Sequence, residues 1–206
     1  MLVSHKLGCA FVHIPKNAGS SIERLLLAVD PDGIQFDDAF EVQKLEPMNK
    51  HVFARHIAGY LGEERWHDYF TFAVVRNPFE RLVSWYSMCV QFPDVPYRQY
   101  VVENTADFDD FVRKSGSFPG RAAMIGFNQV DYVHDAAGRT MVDFVGRFET
   151  LHDDVASVLE RIGADAELPV FNASEHDHYR TYYSPETEAV VRSRFARDLA
   201  AFGYDF

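Results

Sequence analysis

Apolar residues crowd into two short runs in the first third of the chain. Leu7–Ile14 (LGCAFVHI) and Phe70–Val75 (FTFAVV) are almost free of charge, which is the pattern of strands buried on both faces of a parallel sheet. Pro15–Gly19 breaks the first run. From Ser20 to Val29 the apolar positions Ile22, Leu25, Leu26 and Val29 then fall at helical spacing. The chain thus opens with a strand, a tight loop and a helix. Asp30-Pro31-Asp32-Gly33 signals a turn at the head of a loop-like stretch over 30–50, and His51–Arg55 reads as a short strand. After Phe70–Val75, Asn77 and Pro78 supply the cap and first position of a helix. Its inward stripe is Phe79, Leu82, Val83, Tyr86 and Val90. Helices are expected at 97–104, 107–115 and Leu151–Ile162, a strand at Met141–Val145, and a last helix over Ser184–Phe202. Strands alternating with helices predict an α/β fold built on a mostly parallel sheet.

Composition narrows the class. The 206 residues carry 20 Lys+Arg against 31 Asp+Glu, a net charge of −11, and 47% are hydrophobic. A disordered tail is excluded. So is electrostatic binding to nucleic acid or to an anionic membrane surface, since both depend on a Lys/Arg excess. The charge is uneven: residues 1–90 have a net −2 and residues 91–206 a net −9. No repeat or Gly/Ser linker divides the chain, so one domain over 1–206 is expected. No secretory signal and no apolar run of transmembrane length is found, and a cytoplasmic location is the default expectation. Cys9 and Cys89 sit in apolar segments and read as free, reduced thiols.

Two strand ends carry chemistry, because ligands of open parallel sheets lie beyond the carboxyl ends of the strands. The first is Pro15-Lys16-Asn17-Ala18-Gly19-Ser20-Ser21. A glycine-containing loop opening a helix offers backbone N–H groups and the positive end of a dipole to an anion. Lys16 adds a charge, and Ser20 and Ser21 add hydroxyls. The second is Arg76, with Ser84 eight residues on, suited to a terminal phosphate. Two separate anion sites suggest a nucleotide with phosphates at both ends. Lys16 precedes Gly19, so a Walker A loop, which places Lys after its last glycine, is absent.

At these residues a family resemblance becomes specific. FVHIPKNAGSSIERLL resembles the 5′-phosphosulfate loop of sulfotransferases, and FAVVRNPFERLVSWY resembles their 3′-phosphate segment. The likeness is to the carbohydrate type that includes heparan 2-O-sulfotransferases. Val145–Glu149, Phe171–Ser174 with the Tyr-rich stretch after it, and Asp198–Tyr204 (DLAAFGY) extend it. Ala18 stands where relatives often have glycine.

The resemblance implies a three-layer α/β sandwich with a P-loop-like core. It also implies transfer of a sulfuryl group from 3′-phosphoadenosine 5′-phosphosulfate (PAPS) to an acceptor hydroxyl, releasing 3′,5′-adenosine bisphosphate (PAP). Lys16 would stabilise the leaving oxygen, and His56, which matches the family's histidine, would be the general base. Pro15 to Ser21, Arg76, Ser84 and Ser174 would bind the donor, and no metal is expected. The alternatives are a nucleotide-dependent kinase and a non-catalytic nucleotide binder. Among the other histidines, His51 should face the opposite sheet edge and His13 should be structural. Glu175-His176-Asp177-His178 reads as a solvated polar loop. Arg147 would touch the donor or pair with Asp143 or Glu149, and Tyr60, Trp66 and Phe127 are candidate stacking rings. The near-neutral first half and the acidic second half predict a neutral or cationic carbohydrate or small-molecule acceptor, and no nucleic-acid partner.

Overall fold

The computed structural model describes residues 1–35, 50–95, 97–168 and 176–206. They fall into two compact units. The first comprises Met1–Val75 with Asp131–Asn172, the second Arg76–Val130 with Ala173–Phe206.

The first unit holds a five-stranded sheet: β1 (Leu2–Ser4), β2 (Cys9–Val12), β3 (Ile34–Gln35), β4 (Phe70–Val75) and β5 (Phe144–Arg147), in the order β3-β1-β2-β4-β5. β2, β4 and β5 are mutually parallel, whereas β1 is antiparallel to both β2 and β3. The sheet is therefore mixed, and less parallel than the sequence pattern predicts. The reason is local. His5–Gly8 closes a hairpin in which Gly8 takes φ 58° and the Ser4 hydroxyl accepts from the Leu7 amide at 2.9 Å, so β1 returns beside β2.

Alternation along the strands sorts two faces. Leu2, Cys9, Phe11, Phe72 and Val74 share one core with Ile22, Leu25 and Leu26 of α1 (Gly19–Val29). Val155, Val158 and Leu159 of a later helix, Leu151–Ile162, close the same core. Each such side chain contributes about 1.5–3 kcal/mol by leaving water. Ala10, Val12, Ala73 and Val75 point the other way and are also buried. α2 (Ala54–Leu61) packs against β2 and is followed by α3 (Glu63–Asp68). The short strand expected at His51–Arg55 does not form: 51–53 is an irregular lead into α2. Those residues are too few to fix a period, and the helical spacing of Ala54, Ile57 and Leu61, all buried, decides the matter. β5 also begins three residues later than expected, because Asp143 is held by the Thr71 amide and hydroxyl, each 2.8 Å away.

The second unit is helical: α4 (Pro78–Gln91), α5 (Arg98–Asn104), α6 (Phe108–Lys114), then, after α7 (Leu151–Ile162) of the first unit, α8 (Pro185–Arg194) and α9 (Ala196–Phe202). α4 starts as its sequence dictates, with the Asn77 side chain accepting from the Phe79 amide at 3.0 Å and proline next. Its buried face is Phe79, Leu82, Val83, Trp85 and Cys89. Val90, assigned to the inward stripe by spacing, is exposed, since the last turn rotates Cys89 inward instead. Ser184 and Thr187 form a reciprocal capping box for α8. The single last helix expected from Ser184 to Phe202 is broken at Phe195, where the Arg194 carbonyl accepts from the Asn128 side chain at 3.1 Å. Among the described residues no helix is long and apolar enough to cross a membrane.

Candidate active site

The chain leaves β2 at Val12 and enters α1 through a strained loop. Lys16 and Ala18 both adopt left-handed backbone, at φ 69° and 60°, a conformation costing a non-glycine residue on the order of 1–2 kcal/mol. Such residues persist where the surroundings over-determine them. Here Asn17, 1% exposed, donates from Nδ2 to the Val74 carbonyl of β4 at 2.7 Å, tying the loop to the neighbouring strand. Ala18, at the cap position of α1, makes no side-chain cap hydrogen bond, and no acidic residue lies in the helix's first turn. Ser20 is half-buried with its hydroxyl 3.4 Å from Lys50 Nζ, and Ser21 is buried.

Beneath the loop lies a charge cluster that the sequence gives no sign of. His13 Nδ1 is 2.8 Å from Glu23 Oε1, and Lys50 Nζ is 3.0 Å from Glu23 Oε2. Burial pushes the His13 imidazole down to about 4 against the opposing pull of Glu23. Burial also opposes ionisation of Glu23, but its contacts with His13 and Lys50 outweigh that and hold the carboxyl well below the usual range. The His51 ring stands edge-on to His13 at 4.4 Å, with Nδ1 3.0 Å from the His13 carbonyl. Burial, with His13 beside it, holds His51 well below its ordinary value. His13 is buried against Glu23, and His51, expected at the opposite sheet edge, packs on His13 just after β2.

His56 lies in the first turn of α2, its ring stacked on Phe53 at 5.6 Å. It is half-buried, and its Nδ1 has no hydrogen-bond partner among the described residues. Burial and then the Arg55 charge lower its pKa from 6.5, so the ring is neutral at neutral pH. Lys16 to Ser21 and His56 all belong to the first unit; Arg76 and Ser84 belong to the second.

Arg76 follows β4 directly and is 5% exposed. One guanidinium nitrogen reaches Glu80 Oε1 at 3.0 Å, one turn into α4. Ser84 is buried on that helix. Ser174, with the rest of 169–175, lies outside the described residues. The Arg147 amide donates to Asp154 Oδ2 at 2.7 Å, and Asp143, offered as its ion-pair partner, serves Thr71. Among the described residues no group of three or more His, Cys, Asp or Glu is placed to hold a metal ion. An open cleft of about 870 Å³ lies at the other, amino-terminal edge of the strands, lined by Trp66, His67, Thr71, Asp135, Arg139 and Asp143 among others. Of the candidate site residues read from the sequence, Trp66 and Asp143 line it.

A model described as the sulfotransferase family matches residues 1–205. The chain belongs to the sulfotransferase family. Carbohydrate sulfotransferase 10 of Homo sapiens is 29% identical over 174 residues, which is 69% of this chain and 49% of that protein. The Xenopus laevis protein of the same name is 28% identical over 174 residues, 68% of this chain and 49% of its own. An uncharacterized protein of Archaeoglobus fulgidus is 27% identical over 122 residues, 58% of this chain and 90% of that one. The chain spans about half the length of the carbohydrate sulfotransferases it matches. In this chain the loop over 15–21 brings a lysine and two serines to the start of α1, and the Arg76–Ser84 segment brings a guanidinium and a hydroxyl to α4. The sequence gives no role to Glu23 or Gln129, and shows Asp198 only as part of DLAAFGY, because their partners are remote in it.

Proposed function

We propose that the chain transfers a sulfuryl group from PAPS to a hydroxyl of a carbohydrate or small-molecule acceptor, releasing PAP. The observation that carries the reading is the loop of Pro15–Ser21, with two left-handed residues and a lysine leading into a helix that has no acidic residue in its first turn. That is a site for the 5′-phosphosulfate end of the donor. Arg76 with Ser84 would take the 3′-phosphate. A donor with these two charged ends fits the residues present.

Transfer is an in-line displacement, akin to phosphoryl transfer. The acceptor oxygen forms a bond to sulfur while the bond from sulfur to the 5′-phosphate oxygen breaks, leaving that electron pair on the phosphate. Lys16 and the backbone N–H groups of the loop would stabilise the charge gathering there. His56 would accept the hydroxyl proton; its neutral state and its Nδ1, unpaired among the described residues, suit a base. Support for a carbohydrate acceptor comes from the names of the relatives. The near-neutral charge of residues 1–90 against −9 beyond them favours a neutral or cationic acceptor.

Thermal shift tests the donor. PAP without metal should raise the melting temperature more than ATP with magnesium does. The reverse order would overturn the reading in favour of a kinase. PAP binding with no turnover on any of a panel of sugars, phenols and alcohols would point to a non-catalytic binder.

A further inference from the structure

Arg76 is held by its backbone as well as by its side chain. Its N–H donates to Gln129 Oε1 at 2.9 Å, and its carbonyl accepts from Gln129 Nε2 at 2.8 Å. One amide side chain thus reads both main-chain groups of one residue, which fixes the amide's orientation, since a donor and an acceptor face it at defined places. Gln129 is itself held. Asp198 Oδ2 accepts from the Gln129 amide at 2.9 Å and lies 3.3 Å from Gln129 Nε2, and Oδ1 accepts from the Val130 amide at 3.0 Å. Gln129 and Asp198 are both 0% exposed. All these residues belong to the second unit. Burying a carboxylate is costly unless it is fully hydrogen-bonded, and its place within DLAAFGY, a stretch that the reaction above leaves without a role, marks it out.

We propose that Gln129 and Asp198 are positioning residues that set the place of the Arg76 guanidinium and so determine recognition of the donor's 3′-phosphate. The proposal rests on the assignment of Arg76 to that phosphate. A packing role alone would have been met by apolar side chains at lower desolvation cost. A polar pair aimed at both main-chain groups of a single residue has a directional task. The fork geometry of a guanidinium makes phosphate binding sensitive to small displacements, and about 1 Å of misplacement can cost on the order of a hundredfold.

The test compares two ligands, 3′,5′-adenosine bisphosphate and adenosine 5′-monophosphate, by calorimetry on the full chain. Gln129→Met keeps the length and removes the hydrogen bonds. It should weaken the bisphosphate by about tenfold to a hundredfold while leaving the monophosphate within about twofold, so the preference for a 3′-phosphate falls. Added to Arg76→Ala, it should cause no further loss of bisphosphate affinity. An unchanged preference, an equal loss for both ligands, or additive effects in the double variant would each overturn the proposal. Should Gln129→Met not fold, Asp198→Asn and Gln129→Glu are read by the same preference. If Arg76→Ala alone leaves the preference intact, the assignment of Arg76 fails. If Arg76→Ala abolishes it and the Gln129 and Asp198 variants do not, only the positioning role fails.

Discussion

The His13 ring occupies the space that a side chain at Gly19 would need. A Cβ built on Gly19 would run into Cδ2 and Nε2 of His13 and sit 2.7 Å from Cγ. Glycine is required there for close approach of two elements, not for an unusual φ. Replacing it with alanine cannot be absorbed by a small shift, because the imidazole is pinned to Glu23. Gly19→Ala should therefore abolish PAP-induced stabilisation while leaving helix content by circular dichroism nearly native. A native thermal shift with PAP would show that the loop does not depend on this contact.

The same imidazole makes stability depend on pH. His13 titrates near 4 in the folded protein and near 6.5 unfolded, and His51 is lowered in the same direction. Between those values the unfolded chain binds more protons, so stability is full above pH 6.5 and falls as pH drops toward 4. Denaturant titrations across that range should show net proton uptake on unfolding. His13→Gln should reduce the slope. A flat profile would mean that neither ring is buried neutral.

For His56, burial and Arg55 lower the pKa from 6.5. A base acts when unprotonated, so transfer should decline only on the acid side, with a midpoint below 6.5. His56→Ala should keep PAP affinity and lose turnover by about 10²–10⁴-fold. Turnover at the native rate would place the base elsewhere.

Glu80 pairs with the Arg76 guanidinium at 3.0 Å, and on the proposed role of Arg76 it would compete with the 3′-phosphate. Glu80→Gln should tighten PAP by about two- to fivefold, the scale of a partly exposed ion pair, and the gain should shrink at high salt. Weaker binding would mean that Glu80 orients the guanidinium and does not restrain it.

Ala18 holds a left-handed conformation at φ 60°. Ala18→Gly relieves it and should stabilise the chain by about 1 kcal/mol in urea unfolding, within the range that such sites return. A loss of stability would show the residue to be unstrained.

What the sequence disclosed was what neighbouring residues decide. Asn77-Pro78 announces α4 because cap and first position are chemistry between adjacent residues, and Phe70–Val75 announces β4 because a strand buried on both faces needs no polar position. The loop at 15–21 was legible for the same reason. The break at Phe195 was not: it answers to Asn128, 66 residues away in sequence. Neither was the β1 hairpin, whose strand of three residues is too short to show a period, nor the clamp on Arg76, whose polar atoms gain meaning only once Gln129 and Asp198 meet. His56 stood out by resemblance, and the structure moved it from the end of a strand to the first turn of a helix.

β4 lies between β2 and β5 and has a partner on each edge. During biosynthesis that arrangement leaves FTFAVV half-paired until residues 144–147 emerge. At about 5–20 residues per second the delay is on the order of several seconds. An uncharged apolar hexapeptide with an open edge is a template for association between nascent chains. Chaperone occupancy in the cell, and yield on expression at high rates, should be governed by this one strand more than by the loop that it supports.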